Sequence, residues 1–313
     1  MNPPLNPRPF HEGELRAHVA AGTSTPGSAI RELMPDQHRQ FFSSLRFAML
    51  ATTDNEGWPV ATIVTGPQGF ISSDDPGSLR IDTTAHWQES FTPLLATDKA
   101  IGMLGIEFST RRRNRANGYV TAFSDDGLHV HVEQSFGNCP KYIQARDVSN
   151  ENNDGHVSSR EFFTDLNDEA KKIISNADTF FVATASGNET TNGSGVDISH
   201  RGGMPGFIRI DGNTLTIPDF VGNRYFNTLG NMLVEPRAAL LFIDFISGDL
   251  LHLQGTTEVL WQSDETGHLA GAERLWRFHI ASGWKKSHAI SLQWTLREVA
   301  PTTEATGIWD KED

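Results

Sequence analysis

Two short stretches of the second half of the chain carry residues suited to holding an anion. In Ser199-His200-Arg201-Gly202-Gly203-Met204-Pro205-Gly206-Phe207 a guanidinium is followed by glycines. Their missing side chains let a flat ligand or its phosphate approach the backbone. In Gly222-Asn223-Arg224 a second arginine precedes a helical pattern that runs to Leu233 and stops at Pro236. The free N–H groups and positive dipole end of such a helix receive phosphate readily, and Arg224 adds a charge-assisted bidentate contact. On these residues alone, the plainer reading of two surface charges beside ordinary turns stays open.

Other groups are weaker. Gln134-Ser135-Phe136-Gly137-Asn138-Cys139-Pro140-Lys141 is a further loop entering a helical pattern, and it holds the single cysteine, read as an inert thiol. The run Arg111 to Arg115 reads as a solvated basic turn, with an anionic-substrate site as the sharper alternative. The twelve histidines form no HExxH-like or carboxylate-paired spacing, so no metal is assigned.

Composition narrows the class. The 313 residues suffice for two domains. Acidic residues number 39 against 26 basic, a net charge of −13, which argues against general attraction to a nucleic-acid backbone. One cysteine allows no intrachain disulfide and suits a reducing cytoplasm. The first residues lack the basic flank and apolar stretch of a signal peptide, and nothing resembles a membrane span, so a cytoplasmic protein without a membrane partner is expected.

The elements that must position these loops are written twice. Asp36 to Thr52 aligns without a gap on Asp168 to Thr184, each reading as a helix, N-capped by the aspartate, that runs into a strand. Gly69-Phe70-Ile71 matches Gly206-Phe207-Ile208, Ile106-Glu107-Phe108 matches Ile243-Asp244-Phe245, and Gly118 matches Gly255. Short apolar runs between turn residues predict mainly β structure with one inserted helix per repeat, around 86–97 and 223–234, closing as a small barrel. Further helical patterns lie at Lys141 to Arg146 and Arg160 to Ala177. The division expected is an extension over 1–34, a first repeat over 35–150, a second over 151–260, and a C-terminal cap over 261–313 packed by Trp261, Trp276, Trp284 and Trp294. At the repeat offset Arg201 becomes Val64 and Arg224 becomes Trp87, so one ligand site per chain is expected, not two.

The run from Asp197 to Phe242 resembles the FMN-binding split barrel of the pyridoxamine 5′-phosphate oxidase-like family. The likeness rests on Arg-Gly-x-x-Pro-Gly-Phe from Arg201, Ile-Pro-Asp-x-x-Gly-Asn-Arg from Ile217, and Glu-Pro-Arg-Ala-Ala-Leu-Leu-Phe from Glu235. It covers about residues 36–260. The resemblance implies an α+β, mainly β fold of two tandem FMN-binding split barrels forming a pseudo-dimer within one chain. It implies FMN between the barrels, with Arg201, Asn223, Arg224 and Asn227 on the phosphate side. Ile217, Pro218 and Asp219 would line the ring or ribityl chain, and Asn138, Cys139 and Lys141 would approach from the first barrel. The implied activity is that of an FMN-dependent oxidoreductase acting on a small-molecule substrate or electron donor. The alternative is a non-catalytic flavin- or haem-binding carrier or stress protein, with His200 then of interest. Vitamin B6 oxidation is not implied, because the substrate loop reads Gly-Asn-Cys-Pro here. A homodimer is common for such a fold, but not required where one chain supplies both barrels.

Overall fold

The computed structural model of the protein describes residues 9–150, 159–187 and 195–309. The first repeat contributes β1 (Phe47–Thr53), β2 (Pro59–Thr65), β3 (Ile71–Ser72), β4 (Ser78–Ile81), β5 (Ala100–Glu107), β6 (Arg112–Ser124) and β7 (Gly127–Asn138) to one antiparallel sheet, in the order β2-β1-β5-β6-β7-β4-β3. Two linker strands follow, β8 (Ala145–Asn150) and β9 (Arg160–Phe163). The second repeat contributes β10 (Thr179–Ala185), β11 (Val196–Gly202), β12 (Arg209–Asp211), β13 (Thr214–Phe220), β14 (Arg237–Ile243), β15 (Leu250–Leu260) and β16 (Ala272–Lys286). Their order, β11-β10-β14-β15-β16-β13-β12, repeats the first strand for strand, with β9 added against β16. The chain is thus mainly β, two split barrels in tandem.

Five α-helices complete it among the described residues: α1 (Glu12–Ala20), α2 (Asp36–Ser44), α3 (Asp168–Asn176), α4 (Asn227–Val234) and α5 (Pro301–Glu304). α2 and α3 are the duplicated entry helices, but their caps lie one residue earlier than expected. Pro35 and Asn167 are the N-caps, with the Asn167 side chain accepting from Ala170 N at 2.8 Å, and Asp36 and Asp168 sit in the first turn, where their charge suits the dipole. α4 is the inserted helix of the second repeat. Its expected partner at 86–97 is only a 3₁₀ turn, Thr92–Leu94, with Pro93 inside it and Asp98 in a left-handed conformation soon after. Lys141 to Arg146 is not helical, since Pro140 and a left-handed Tyr142 lead directly into β8. The pattern from Arg160 divides into β9 and α3.

Strands β1 and β10 are apolar on both faces because each separates two cores. Ala48 and Leu50 face the interior of the first barrel and Phe180 and Val182 that of the second. The alternate residues Phe47, Met49 and Ala51 meet Phe181, Ala183 and Ala185 in a third core between the barrels. The matched glycines mark equivalent bulges. The register shifts at Asn117/Gly118 and at Gln254/Gly255, where an added Cβ would lie 1.8 Å from His131 O and 2.3 Å from His279 O respectively.

Residues 272–286, expected within a cap, are a strand of the second sheet, and Trp276 is fully buried in its core. β17 (Leu292–Glu298) pairs with β8, and its Trp294 joins the core between the barrels. The boundary expected just after Asn150 falls at 151–158, outside the described residues. No helix among the described residues is long and apolar enough to cross a membrane.

Candidate functional site

Where the barrels meet, both repeats line a cavity of about 80 Å³. The second barrel supplies Ser199, His200 and Arg201 from the end of β11, Asp219 and Phe220 from the end of β13, and Asn227 and Thr228 from the start of α4. It also supplies Glu273 and Arg274 from β16, and Gly222, Asn223 and Arg224 from the β13–α4 loop. Arg224 and Phe226 both adopt left-handed backbone, which turns this loop sharply into the helix. The first barrel adds Arg113 and Arg115 from β6 and Asn138 and Cys139 from the end of β7. Residues an even number apart on a strand share a face, so Arg113 and Arg115 point together.

The cations are held in place. Arg115 donates to Asp197 Oδ1 at 3.0 Å and to the Ser199 hydroxyl, and Ser199 in turn meets Thr228 Oγ1 at 2.8 Å. Arg113 donates to Cys139 O at 3.0 Å and His200 O at 3.3 Å. Asp219 is clamped between Arg201, at 2.6 Å, and Arg274. Glu273 bridges Arg224 at 3.0 Å and Arg274 at 3.1 Å. Asn223 reaches Asn138 at 3.3 Å across the junction of the repeats.

Charge and unmet hydrogen bonds agree on what this cavity receives. Five guanidinium groups face Asp219, Glu273 and, behind Arg115, Asp197, which leaves two positive charges unbalanced. Burial, then the neighbouring Arg115 and Arg201, push Arg113 down to about 10 against the opposing pull of Cys139, so it stays cationic at neutral pH. Burial and the guanidiniums of Arg113, Arg146 and Arg201 hold His200 well below the usual imidazole range, hence neutral. Arg115 Nε, Arg201 Nε, Asn138 Nδ2 and His200 Nε2 are buried without a hydrogen-bond partner among the described residues. Orphaned donors in a positive cavity suit an acceptor-rich dianion, the chemistry of a phosphate monoester.

Of the residues expected at a ligand site, Arg201, Asp219, Asn223, Arg224, Asn227, Asn138 and Cys139 come together here. Ile217 does not reach it, being sealed in the second-barrel core, and Pro218 is buried beside it where β13 pairs with Leu275 of β16. Lys141 also lies outside the cavity lining. Asp219 sits there as the charge partner of two arginines, not as part of an apolar ring platform. Glu273 and Arg274 were missed in the sequence. The signal that finds them is β16 itself, paired with β13 through Asp219 and Arg274. Arg113 and Arg115 were visible only as part of a basic run.

The pseudo-equivalent position in the other half is filled. Leu104 pairs with Arg115 as Leu241 pairs with His252, and Ile106 with Arg113 as Ile243 with Leu250. His252 stacks on Trp284, ring centroids 5.1 Å apart, and its Nε2 accepts from Ala61 N at 3.2 Å. Among the described residues no group of three or more His, Cys, Asp or Glu could hold a metal ion.

The family model described as pyridoxamine 5′-phosphate oxidase matches residues 34–157 and again 166–293. No curated protein matches. Among solved structures, HupZ of Group A Streptococcus is 14% identical over 43% of this chain and 97% of its own, with a TM-score of 0.29. An FAD-binding protein from Mesorhizobium loti is 14% identical over 41% of this chain and 97% of its own, at 0.28. The K. pneumonia MrkH–c-di-GMP complex is 12% identical over 77% of this chain and 78% of its own, at 0.19. With a family match on each repeat, this chain belongs to the pyridoxamine 5′-phosphate oxidase family, in a tandem arrangement of two split barrels.

Proposed function

We propose that the protein binds one FMN per chain, with the phosphate in the arginine cavity between the barrels, and works as an oxidoreductase on a small molecule. The observation that carries this reading is the excess of two positive charges around buried, unpartnered donors in a chain of this family. Enclosing pockets for whole ligands run to about 300–1,000 Å³. A cavity of about 80 Å³ takes a phosphate end and not a ring system. Arg115, Arg201 and Asn138 would donate to the phosphate oxygens. Asp219 fixes the Arg201 guanidinium, and Arg274 pairs with the other oxygen of the same carboxylate. When bound, the flavin itself supplies hydride or electron transfer, so no acid–base pair is required of the chain.

A second reading, a non-catalytic carrier of flavin or a tetrapyrrole, draws on His200. It is buried and neutral, and its Nε2 is free at the cavity wall. Two measurements separate the readings: the absorption spectrum of freshly purified protein, and the mass of the ligand it releases. Flavin bands that bleach and return with a reductant and oxygen support the oxidoreductase. A haem spectrum that is lost in His200→Ala supports the carrier. A colourless protein that also refuses added FMN sinks the flavin reading.

A further inference from the structure

Helix α1, in the amino-terminal extension, buries polar side chains beside Gly13 and Ala17. His11, Glu14 and His18 are 4%, 2% and 5% exposed, while Leu15 and Val19 are 52% and 82% exposed. A surface helix ordinarily turns its apolar stripe inward, and spacings of three and four place the three polar residues on one face. That face lies backbone to backbone on α4. A Cβ at Gly13 would stand 2.3 Å from Gly230 O, and one at Gly230 would stand 2.6 Å from Glu14 Cα. Buried polar groups are tolerated when paired, and here Glu14, His11 and His18 each have a partner that leads to the cavity.

Glu14 Oε2 accepts from His11 N at 2.9 Å, and Oε1 accepts from the side chain of Asn227, which lines the cavity. His11 Nδ1 accepts from Gly13 N at 3.0 Å, so its Nε2–H donates to Asn231 Oδ1 at 2.8 Å. Asn231 donates to Asp197 Oδ2 at 3.0 Å, and Asp197 holds Arg115. His18 Nε2 donates to Arg224 O at 2.9 Å and packs edge-on to Phe226, so it touches both left-handed residues of the β13–α4 loop.

We propose that α1 is a working support behind the lining of the anion cavity, with His11, Glu14 and His18 as positioning residues that hold Arg115, Asn227 and the Gly222–Phe226 loop for the ligand. The proposal rests on reading the cavity as the FMN phosphate site. Burial and then Asp197 hold the Glu14 carboxyl well above the ordinary carboxylate range, against its bonds from His11 and Asn227 and the charge of Arg115. His11 is the other titratable group facing it, 3.6 Å away. A group raised on docking favours the docked state at low pH, and that contribution is lost as pH rises through its docked value. Ionising Glu14 sets a second buried carboxylate against Asp197, so α1 loosens and the cavity loses its ligand geometry.

The test titrates the full chain with FMN, and separately with inorganic phosphate, between pH 6 and 9. Wild type is compared with Glu14→Gln, Glu14→Ala, His18→Ala and the outward-facing control Leu15→Ala. Amide exchange of residues 12–20 is followed with and without ligand. The proposal expects Glu14→Ala and His18→Ala to weaken binding about tenfold or more and Leu15→Ala less than about twofold. It expects wild-type affinity to fall with rising pH relative to Glu14→Gln, whose profile carries only the second ionisation of the phosphate itself, and slower exchange in α1 when ligand is bound. If Glu14→Ala does not fold, the Glu14→Gln pH profile and His18→Ala decide. Variants that bind FMN as wild type does, with the same pH profile, overturn the proposal and leave the flavin reading standing. If FMN fails to bind but phosphate binding follows the expected order, the proposal stands and the flavin reading falls. Failure of both ligands with wild type overturns both.

Discussion

Replacing Arg201 by Met tests the anion cavity with little damage to the fold. The guanidinium makes one ion pair, to Asp219 at 2.6 Å, and its Nε has no partner among the described residues. Asp219 is itself buried but keeps Arg274 when Arg201 is gone, so no carboxylate is stranded. Because Arg201 is partly exposed, losing the pair costs about 1 kcal/mol or less. At ~2.1 cal/mol/K per residue, a chain of this length shifts by about 1.5 °C per kcal/mol, so the melting temperature should move by less than about 2 °C. Binding should suffer far more. A hydrogen bond to a charged group contributes about 1.5–3 kcal/mol, which corresponds to roughly 10- to 150-fold in Kd for FMN. Quenching of FMN fluorescence gives the Kd, and scanning calorimetry gives the melting temperature. An affinity within about threefold of wild type, in a protein that melts normally, would refute the reasoning and return Arg201 to the status of a surface charge.

Arg115→Met should behave differently, because Asp197 loses its only ion-pair partner among the described residues, in a buried site. Breaking a buried pair costs about 3–5 kcal/mol, or about 5–8 °C here, in addition to the loss of FMN affinity; a melting temperature unchanged by calorimetry would contradict the pairing. Burial and then Arg160 push His252 down to about 3. A group depressed on folding contributes stability that is full above its unfolded value near 6.5 and is lost as pH falls through the folded one. Melting temperatures recorded down to pH 4 should therefore fall in wild type and fall less in His252→Gln, which keeps an acceptor for Ala61 N. Gly255→Ala would drive a methyl into His279 O, and urea unfolding should show a loss of more than about 2 kcal/mol. A neutral result there would mean that the bulge relaxes freely.

The fold was legible because duplicated positions carry duplicated physics. The entry helices, the strands apolar on both faces and the bulge glycines each occur twice, and all three can be seen in residue types alone. Legibility stopped at an insertion. β6 turns into β7 through Asp125 and Asp126, whereas β15 and β16 are joined by residues 261–271. Gly118 faces Val132 in one barrel and Gly255 faces Ile280 in the other, so the offset is 137 on one strand and 148 on the next. Past that point the repeat no longer aligned, β16 was read as a cap, and Glu273 and Arg274 went with it. α1 was hidden for a different reason, since Ala17 is the one apolar side chain of its inward face while the larger Leu15 and Val19 point out, the reverse of the pattern that betrays a packed helix.

What the duplication adds to the chemistry is an internal control. Each barrel junction draws residues from both repeats, so a pseudo-twofold chain offers two equivalent cavities. In one of them stand Arg201 and Arg224 from the second repeat and Arg113 and Arg115 from the first. Their counterparts are Val64 and Trp87 from the first repeat and Leu250 and His252 from the second. Arginines kept only for solubility would be lost without regard to which cavity they faced. Here two positions in each repeat differ, and all four arginines line one cavity, while Val64 and Trp87 pack with the first-barrel core, Leu250 lies in the core between the barrels and His252 stacks on Trp284. Such a division leaves one arginine-lined cavity among the described residues, and the proposed binding of FMN there would accordingly be one per chain.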